Sequence, residues 1–353
     1  MRKGIRIGLV ACGVVLVAVL FECFRVFYGG NDFHGAAERV FTVSRGESFP
    51  AIADSLFAQG LVDSKTEFTF VGRVLGGAAH IKIGRYLFAN GISSAELFLS
   101  LRSGRGNSLI PVTVPEGLRA RAQAHLLART IGIDSARFVA LVDDADFART
   151  LGVDAPSLEG YLFPETYHCY WQQDEKDVIR MMVEQLQRFF NDSLQARARS
   201  FGWDERQALT FASIIEGEAL IPEDRAMISG VYHNRLRRDM PLEADPTIQY
   251  ILEDGPRRVL YTDLQIDDPY NTYRYKGLPP GPVNNPGKAS IMASLYPVEH
   301  HYLYFVANGE GGHWFSSTLE EHVHYVRMYR RLRAKNHMMS PIRSGDGKSD
   351  HGD

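Results

Sequence analysis

From Ile7 to Phe21 the chain is unbroken apolar sequence. Such a run at a terminus is a membrane span or a secretion signal. Glu22 and Arg25 interrupt it, Val26-Phe27-Tyr28 resumes it, and the whole approaches the roughly 20 residues a transmembrane helix needs. Arg2, Lys3 and Arg6 precede it, which puts the N-terminus in the cytoplasm by the positive-inside rule. No small-x-small cleavage site follows, so an uncleaved anchor is preferred to a signal peptide. The body of the chain is therefore expected outside the inner, cytoplasmic membrane, on a single-pass anchor.

The 353 residues carry a net charge of −3. That length suffices for two or three domains with a sizeable core. Near-neutrality argues against nucleic acid as a partner, since phosphate binding favours a basic excess. Cys12 and Cys23 lie in the apolar run, which leaves Cys169 alone in the body. A disulfide framework and a cysteine-built metal site are both excluded there.

Residues 29–37 read as a linker. Beyond it, Val40–Val43 and Ile81–Phe88 read as strands, and Ser48–Phe57, Lys65–Leu75 and Ser93–Leu101 as helices. Ser108–Val114 returns as a strand. Helical patterns follow over Leu118–Thr130 and Ser135–Val142, then a Gly- and Pro-punctuated aromatic stretch, Pro156–Tyr167. One long amphipathic helix is expected over Asp177–Ala198. Asp204 with Gln207 makes a capping-box variant that opens the next helix, and Pro222 suits the first turn of another. From Met240 the sequence predicts mainly loops, then strands at His301–Ala307 and His313–Phe315, and a closing helix over Leu319–Arg333. The polar tail, 336–353, is expected to be disordered. The predicted class is α+β: an N-terminal transmembrane helix (1–28), a small α+β module (38–107) and a mixed α/β domain (108–335).

The chemistry concentrates in Ala212-Ser213-Ile214-Ile215-Glu216-Gly217-Glu218-Ala219, a helix end that is apolar almost all round. Buried carboxylates are costly unless paired, protonated or employed. Residues two apart on a helix point about 200° apart. One glutamate should therefore face a cleft and the other a structural partner, with Arg225 or Arg235 the candidates. The helix C-terminus disfavours negative charge, and burial acts the same way, so either carboxyl can be tuned as a general acid.

Asp245, Thr247, Asn271, Thr272 and Tyr273 sit on Pro- and Gly-rich segments, with Tyr261, Tyr270 and Tyr275 adding aromatic faces. Carbohydrate sites combine such groups, although ordinary turn formation accounts for the composition equally well. His313, after Gly311-Gly312, is a candidate ligand contact or carboxylate partner. Glu299-His300-His301 lacks zinc spacing, and His322 and His324 diverge on a helix. No metal and no cofactor are expected.

Leu158–Tyr167, Ala212–Glu218, Asn234-Arg235-Leu236, Asp245-Pro246-Thr247, Tyr270–Tyr273, Gly277–Gly281 and Tyr302–Ala307, in that order, resemble the membrane-anchored endolytic murein transglycosylases, the YceG-like family. The resemblance runs from about Phe41 to Arg333. It implies that residues 38–107 are a LysM-like module and 108–335 the catalytic domain. It implies cleavage of the β-1,4 bond from N-acetylmuramic acid to N-acetylglucosamine within glycan strands, leaving a 1,6-anhydro end. In related lytic enzymes a small residue follows the catalytic glutamate. This carries the role to Glu218, before Ala219, with Glu216 the runner-up. Asp245, Thr247, Asn271, Thr272, Tyr273 and His313 become candidate substrate contacts. The implied partners are peptidoglycan glycan strands and cell-wall synthases of the penicillin-binding class. The rival readings are a muramidase that uses water, with Asp245 or Glu243 as second carboxylate, and a non-catalytic peptidoglycan-binding scaffold.

Overall fold

The computed structural model describes residues 2–219, 221–252, 255 and 257–339. The tail expected to be disordered lies outside them from residue 340 onward. The chain divides into two compact units of interleaved segments. The first comprises Met1–Thr113, Ala124–Phe138 and Thr166–Val178, and the second Val114–Gln123, Val139–Glu165 and Ile179–Asp353.

In the first unit, an apolar helix runs over Arg2–Tyr28 and is exposed along Ala11–Tyr28. Strand Glu38–Val43 then pairs antiparallel with Gly84–Ala89, Phe41 opposite Tyr86 and Val43 opposite Gly84. The alternation of burial along both strands turns Phe41, Val43, Tyr86 and Phe88 to one face. Helices Phe49–Ala58, Lys65–Leu75 and Ser94–Ser103 contribute Ile52, Leu56, Phe68, Leu97 and Phe98 to the same core. Each helix starts on a serine (Ser48, Ser64, Ser93) whose hydroxyl accepts the amide of the residue three positions on. A second hairpin-like pair, Ile110–Thr113 with Thr166–Cys169, belongs to this unit. Its later strand, Thr166–Cys169, forms at the end of the Gly- and Pro-punctuated aromatic stretch.

The long helix expected over Asp177–Ala198 is two helices, Glu175–Phe189 and Asp192–Arg199. Asn191 causes the break: its side chain accepts the amides of Ser193 (3.1 Å) and Leu194 (3.3 Å). An N-cap inside a periodic run competes with helix continuation, and the apolar period alone does not register it.

The second unit is organised by helix Glu205–Glu218. Its capping box closes as expected, with the Gln207 amide 2.7 Å from the Asp204 carboxylate and the Asp204 amide 3.0 Å from the Gln207 side chain. Helices Arg225–Arg237, Asp245–Ile251 and Lys288–Leu295 pack against it. The last two form where loops were expected; Pro246 pre-sets the first turn of its helix. Phe211, Ile214, Ile215, Ile228, Tyr232, Leu242 and Val283 make the core. The hairpin Tyr304–Ala307 and His313–Ser316 pairs Ala307 with His313, and the closing helix, Leu319–Met339, runs past the expected Arg333.

Polar side chains fasten the loops to this core. The Ser213 hydroxyl accepts the Val283 amide at 3.0 Å, and its carbonyl accepts Asn284 Nδ2 at 2.8 Å. Asn285 Oδ1 accepts the amides of Gly160 (2.8 Å) and Leu162 (3.0 Å). Gly160 has φ +90°, and a Cβ there would lie 2.3 Å from Pro282, so only glycine fits.

Candidate active site

Glu216 and Glu218 point to different surroundings. Glu216 is an internal strut. Its side chain is 7% exposed, lies 3.5 Å from Arg225 Nη2, and accepts the Gly287 amide at 3.0 Å. Arg225 is held by Ser290 Oγ at 3.0 Å and approaches Glu116 at 3.8 Å. Glu116 is shifted upward, by burial first and by the Glu216 charge second.

Glu218 lines a cavity of about 440 Å³ with Tyr232, Arg235, Asp245, Tyr273 and His313, within the usual size of ligand sites. The Tyr232 hydroxyl donates to Glu218 Oε1 at 2.9 Å, and the Asp245 amide also donates to the carboxyl. Burial pushes the Glu218 carboxyl up to about 7, and the neighbouring Asp245 charge adds to this. The Tyr232 and Asp245 hydrogen bonds and the more distant Arg235 oppose it. Desolvation dominates, so the group can keep its proton near neutral pH.

Gly217 allows this arrangement. A Cβ at that position would lie 2.6 Å from Pro246. Its absence lets helix Asp245–Ile251 approach the end of helix Glu205–Glu218 and brings the Asp245 amide to Glu218.

Asp245 is oriented by Tyr273, whose hydroxyl donates to Oδ1 at 2.6 Å. Asn271, Thr272 and Thr247 are buried behind this wall. Asn271 Nδ2 donates to the carbonyls of Leu264 (3.0 Å) and Ile266 (2.8 Å), and its Oδ1 accepts the Tyr273 amide at 3.0 Å. The Thr272 hydroxyl accepts the Ala244 amide at 3.0 Å and lies 2.9 Å from that of Thr247. These three use their polar groups within the protein and set the backbone that carries Asp245 and Tyr273. Of the four tyrosines read as a platform, Tyr273 alone lines the cavity. Tyr270 packs on Tyr250 at 4.7 Å, Tyr275 donates to Asp267 at 2.5 Å, and Tyr261 is exposed.

His313 Nδ1 lies 2.8 Å from Asp224 Oδ2, and its ring meets Phe305 edge-on at 5.4 Å. Arg235 donates to the Leu303 carbonyl (2.7 Å), the Leu242 carbonyl (2.9 Å) and Glu243 (2.9 Å), and lies over the Tyr304 ring. Neither Tyr232 nor Asp224 is marked by a motif in the sequence. They reach Glu218 and His313 through the packing of the second unit. Among the described residues, no group of three or more His, Cys, Asp and Glu is placed to hold a metal ion. Another depression, of about 480 Å³ around Arg199, Trp203 and Glu205, contains neither paired glutamate.

A helix-borne carboxyl of raised affinity for its proton, in a polar cleft, is the arrangement that a general acid needs. Residues 41–328 match the model of the YceG-like family, and the chain belongs to that family. It is 33% identical over 295 residues to the endolytic murein transglycosylase of Bacillus subtilis, covering 79% of this chain and 81% of that protein. The endolytic murein transglycosylase of Streptococcus pneumoniae is 28% identical over 314 residues, covering 79% of this chain and 56% of that protein. The crystal structure of a YceG-like protein of Listeria monocytogenes superposes with a TM-score of 0.59 at 29% identity, covering 82% of this chain and 98% of that one.

Proposed function

We propose that this protein is an endolytic lytic transglycosylase of peptidoglycan, with Glu218 as its single acid–base catalyst. The observation that carries the reading is the Glu218 carboxyl, raised to about 7 inside the cavity. Family membership and the names of the relatives supply the substrate class.

Protonated Glu218 gives its proton to the glycosidic oxygen as the C1–O4 bond breaks and C1 takes on oxocarbenium character. The ionised carboxylate then accepts the proton of the muramyl C6 hydroxyl as that oxygen bonds to C1. The products are a 1,6-anhydromuramyl end and a free N-acetylglucosamine 4-hydroxyl, and Glu218 is protonated again. The nucleophile is tethered, so its effective concentration is high and no water is consumed. Tyr232 and the Asp245 amide hold the carboxyl in place. Asp245, Tyr273 and His313 contact sugar, while Thr247, Asn271 and Thr272 position Asp245 and Tyr273.

Residues 1–28 anchor the chain in the cytoplasmic membrane, with the catalytic domain, 108–335, outside it. The β–α–α–β order over 38–89 supports reading 38–107 as a LysM-like, glycan-binding module. Cell-wall synthases are the partners this placement suits.

Asp245 and Glu243 both line the Glu218 cavity, which favours one second reading, a water-using muramidase. Mass spectrometry of products from purified glycan strands separates the two. Anhydromuramyl ends on internal fragments, lost in Glu218→Gln, are expected. Reducing ends would establish the hydrolase, and loss in Glu216→Gln alone would move the acid.

A further inference from the structure

Helix Lys65–Leu75 buries Phe68, Val71 and Gly72 in the core of its unit. Phe70 and Val74, four apart on another face, are 49% and 58% exposed. Arg73 beside them is exposed and makes no ion pair among the described residues. Two exposed apolar side chains mark nothing by themselves; the element they lie beside gives them meaning.

The N-terminal apolar helix ends against the same element. Arg25 Nη2 donates to Glu67 Oε1 at 2.7 Å, and the rings of Phe27 and Phe70 meet edge-to-face at 6.2 Å. The connection after Tyr28 is pinned to the unit. Asn31 Nδ2 donates to the Ile92 carbonyl at 2.8 Å, the Asn31 amide to that carbonyl at 3.0 Å, and the Gly91 amide to Asn31 at 3.0 Å. Residues 29–31 therefore fix the direction in which the apolar helix leaves the unit.

About 20 helical residues at ~1.5 Å each cross a hydrocarbon core of ~30 Å. Counted from Ile7, the core ends near Val26. Phe27 and Tyr28 then fall at headgroup depth, where aromatic side chains concentrate. Phe70 touches Phe27 and shares that depth. We propose that helix Lys65–Leu75 lies on the outer surface of the bilayer, with Phe70 and Val74 among the lipid headgroups and Arg73 against their phosphates. The inference rests on reading residues 1–28 as a membrane anchor. Leu87, exposed on the outer face of the strand pair, has no such link to the apolar helix and serves as the reference.

The test uses the full chain in phosphatidylethanolamine–phosphatidylglycerol vesicles, after Cys12→Ser, Cys23→Ser and Cys169→Ala. Nitroxide labels are attached singly through Phe70→Cys, Val74→Cys, Leu87→Cys and Val17→Cys. At Phe70 and Val74, the ratio of oxygen to nickel-chelate collisions should exceed that at Leu87 severalfold. Ratios equal to that at Leu87, with Val17 in the bilayer interior, would overturn the surface contact and leave the anchor intact. An aqueous Val17 would overturn the anchor reading and the inference together. Phe70→p-benzoylphenylalanine in an otherwise unaltered chain gives a check that needs no cysteine removal. Irradiation in native membranes should yield lipid adducts, and a discrete protein adduct in their place would overturn the proposal.

Discussion

Glu216 and Glu218 stand two residues apart on one helix and differ in almost everything except sequence position. Glu216 faces Arg225 and the Gly287 amide, an opposite charge and a fixed donor. Glu218 faces a cavity, a tyrosine hydroxyl and the charge of Asp245. The first environment satisfies a carboxylate; the second favours the carboxylic acid. A helix turns about 200° over two residues, so neighbours in sequence meet opposite surroundings.

The strongest way to break this contrast is to neutralise each acid in turn. Glu218→Gln should lower glycan cleavage by ~10²–10⁴-fold, as expected when an acid–base group is removed, with the fold kept. Glu216→Gln should keep cleavage measurable but cost ~3 kcal/mol of stability, because Arg225 loses its buried counter-ion. Denaturant titration beside product assays would show both, and equal losses of activity at equal stability would erase the distinction.

Gly217→Ala tests what separates the two environments. The added methyl meets Pro246 and should cost ~1–3 kcal/mol by overpacking. The rate should fall further than unfolding explains, since the Asp245 amide is displaced from Glu218. A rate that tracks the folded fraction alone would remove Gly217 from the active-site argument.

The pH dependence sharpens the comparison. Activity should decline as pH rises through about 7, where Glu218 loses its proton. Asp245→Asn removes a charge that raises Glu218, so the alkaline limb should move to lower pH. Tyr232→Phe removes a hydrogen bond that lowers it, so the limb should move to higher pH. Two limbs moving the same way in kcat/KM profiles would refute the assigned signs.

The last effect is on the pH dependence of stability. Glu218 and Glu159 both bind a proton more tightly folded than unfolded. Burial raises Glu159 to about 7 against the Ala120 amide, Arg119 and Asn285. Stability is therefore full below the ordinary carboxyl range and declines as pH rises toward about 7. Glu159→Gln and Glu218→Gln should each flatten that decline by up to ~3 kcal/mol, measured by thermal unfolding at pH 4 and pH 8.

Local signals were readable in the sequence wherever one short segment contained both halves of an interaction. Ser93 with Glu96 and Asp204 with Gln207 are of this kind. The break at Asn191 was equally local but was obscured by the apolar period around it. Helices Asp245–Ile251 and Lys288–Leu295 were hidden by proline and glycine in their flanks. That the two glutamates of the pair would face different surroundings follows from helix geometry alone.

What the sequence determined by itself was the apolar N-terminal run, the capped helices, and a pair of acids on opposite sides of a buried helix end. Which side became the cavity was decided by tertiary structure. Arg225 comes from the next helix. Gly287 and Asn284 belong to a segment far along the chain, and Asp245 reaches Glu218 only through the contact between Gly217 and Pro246. A carboxyl's proton affinity depends on the solvent it loses and the charges it meets, and both are properties of packing.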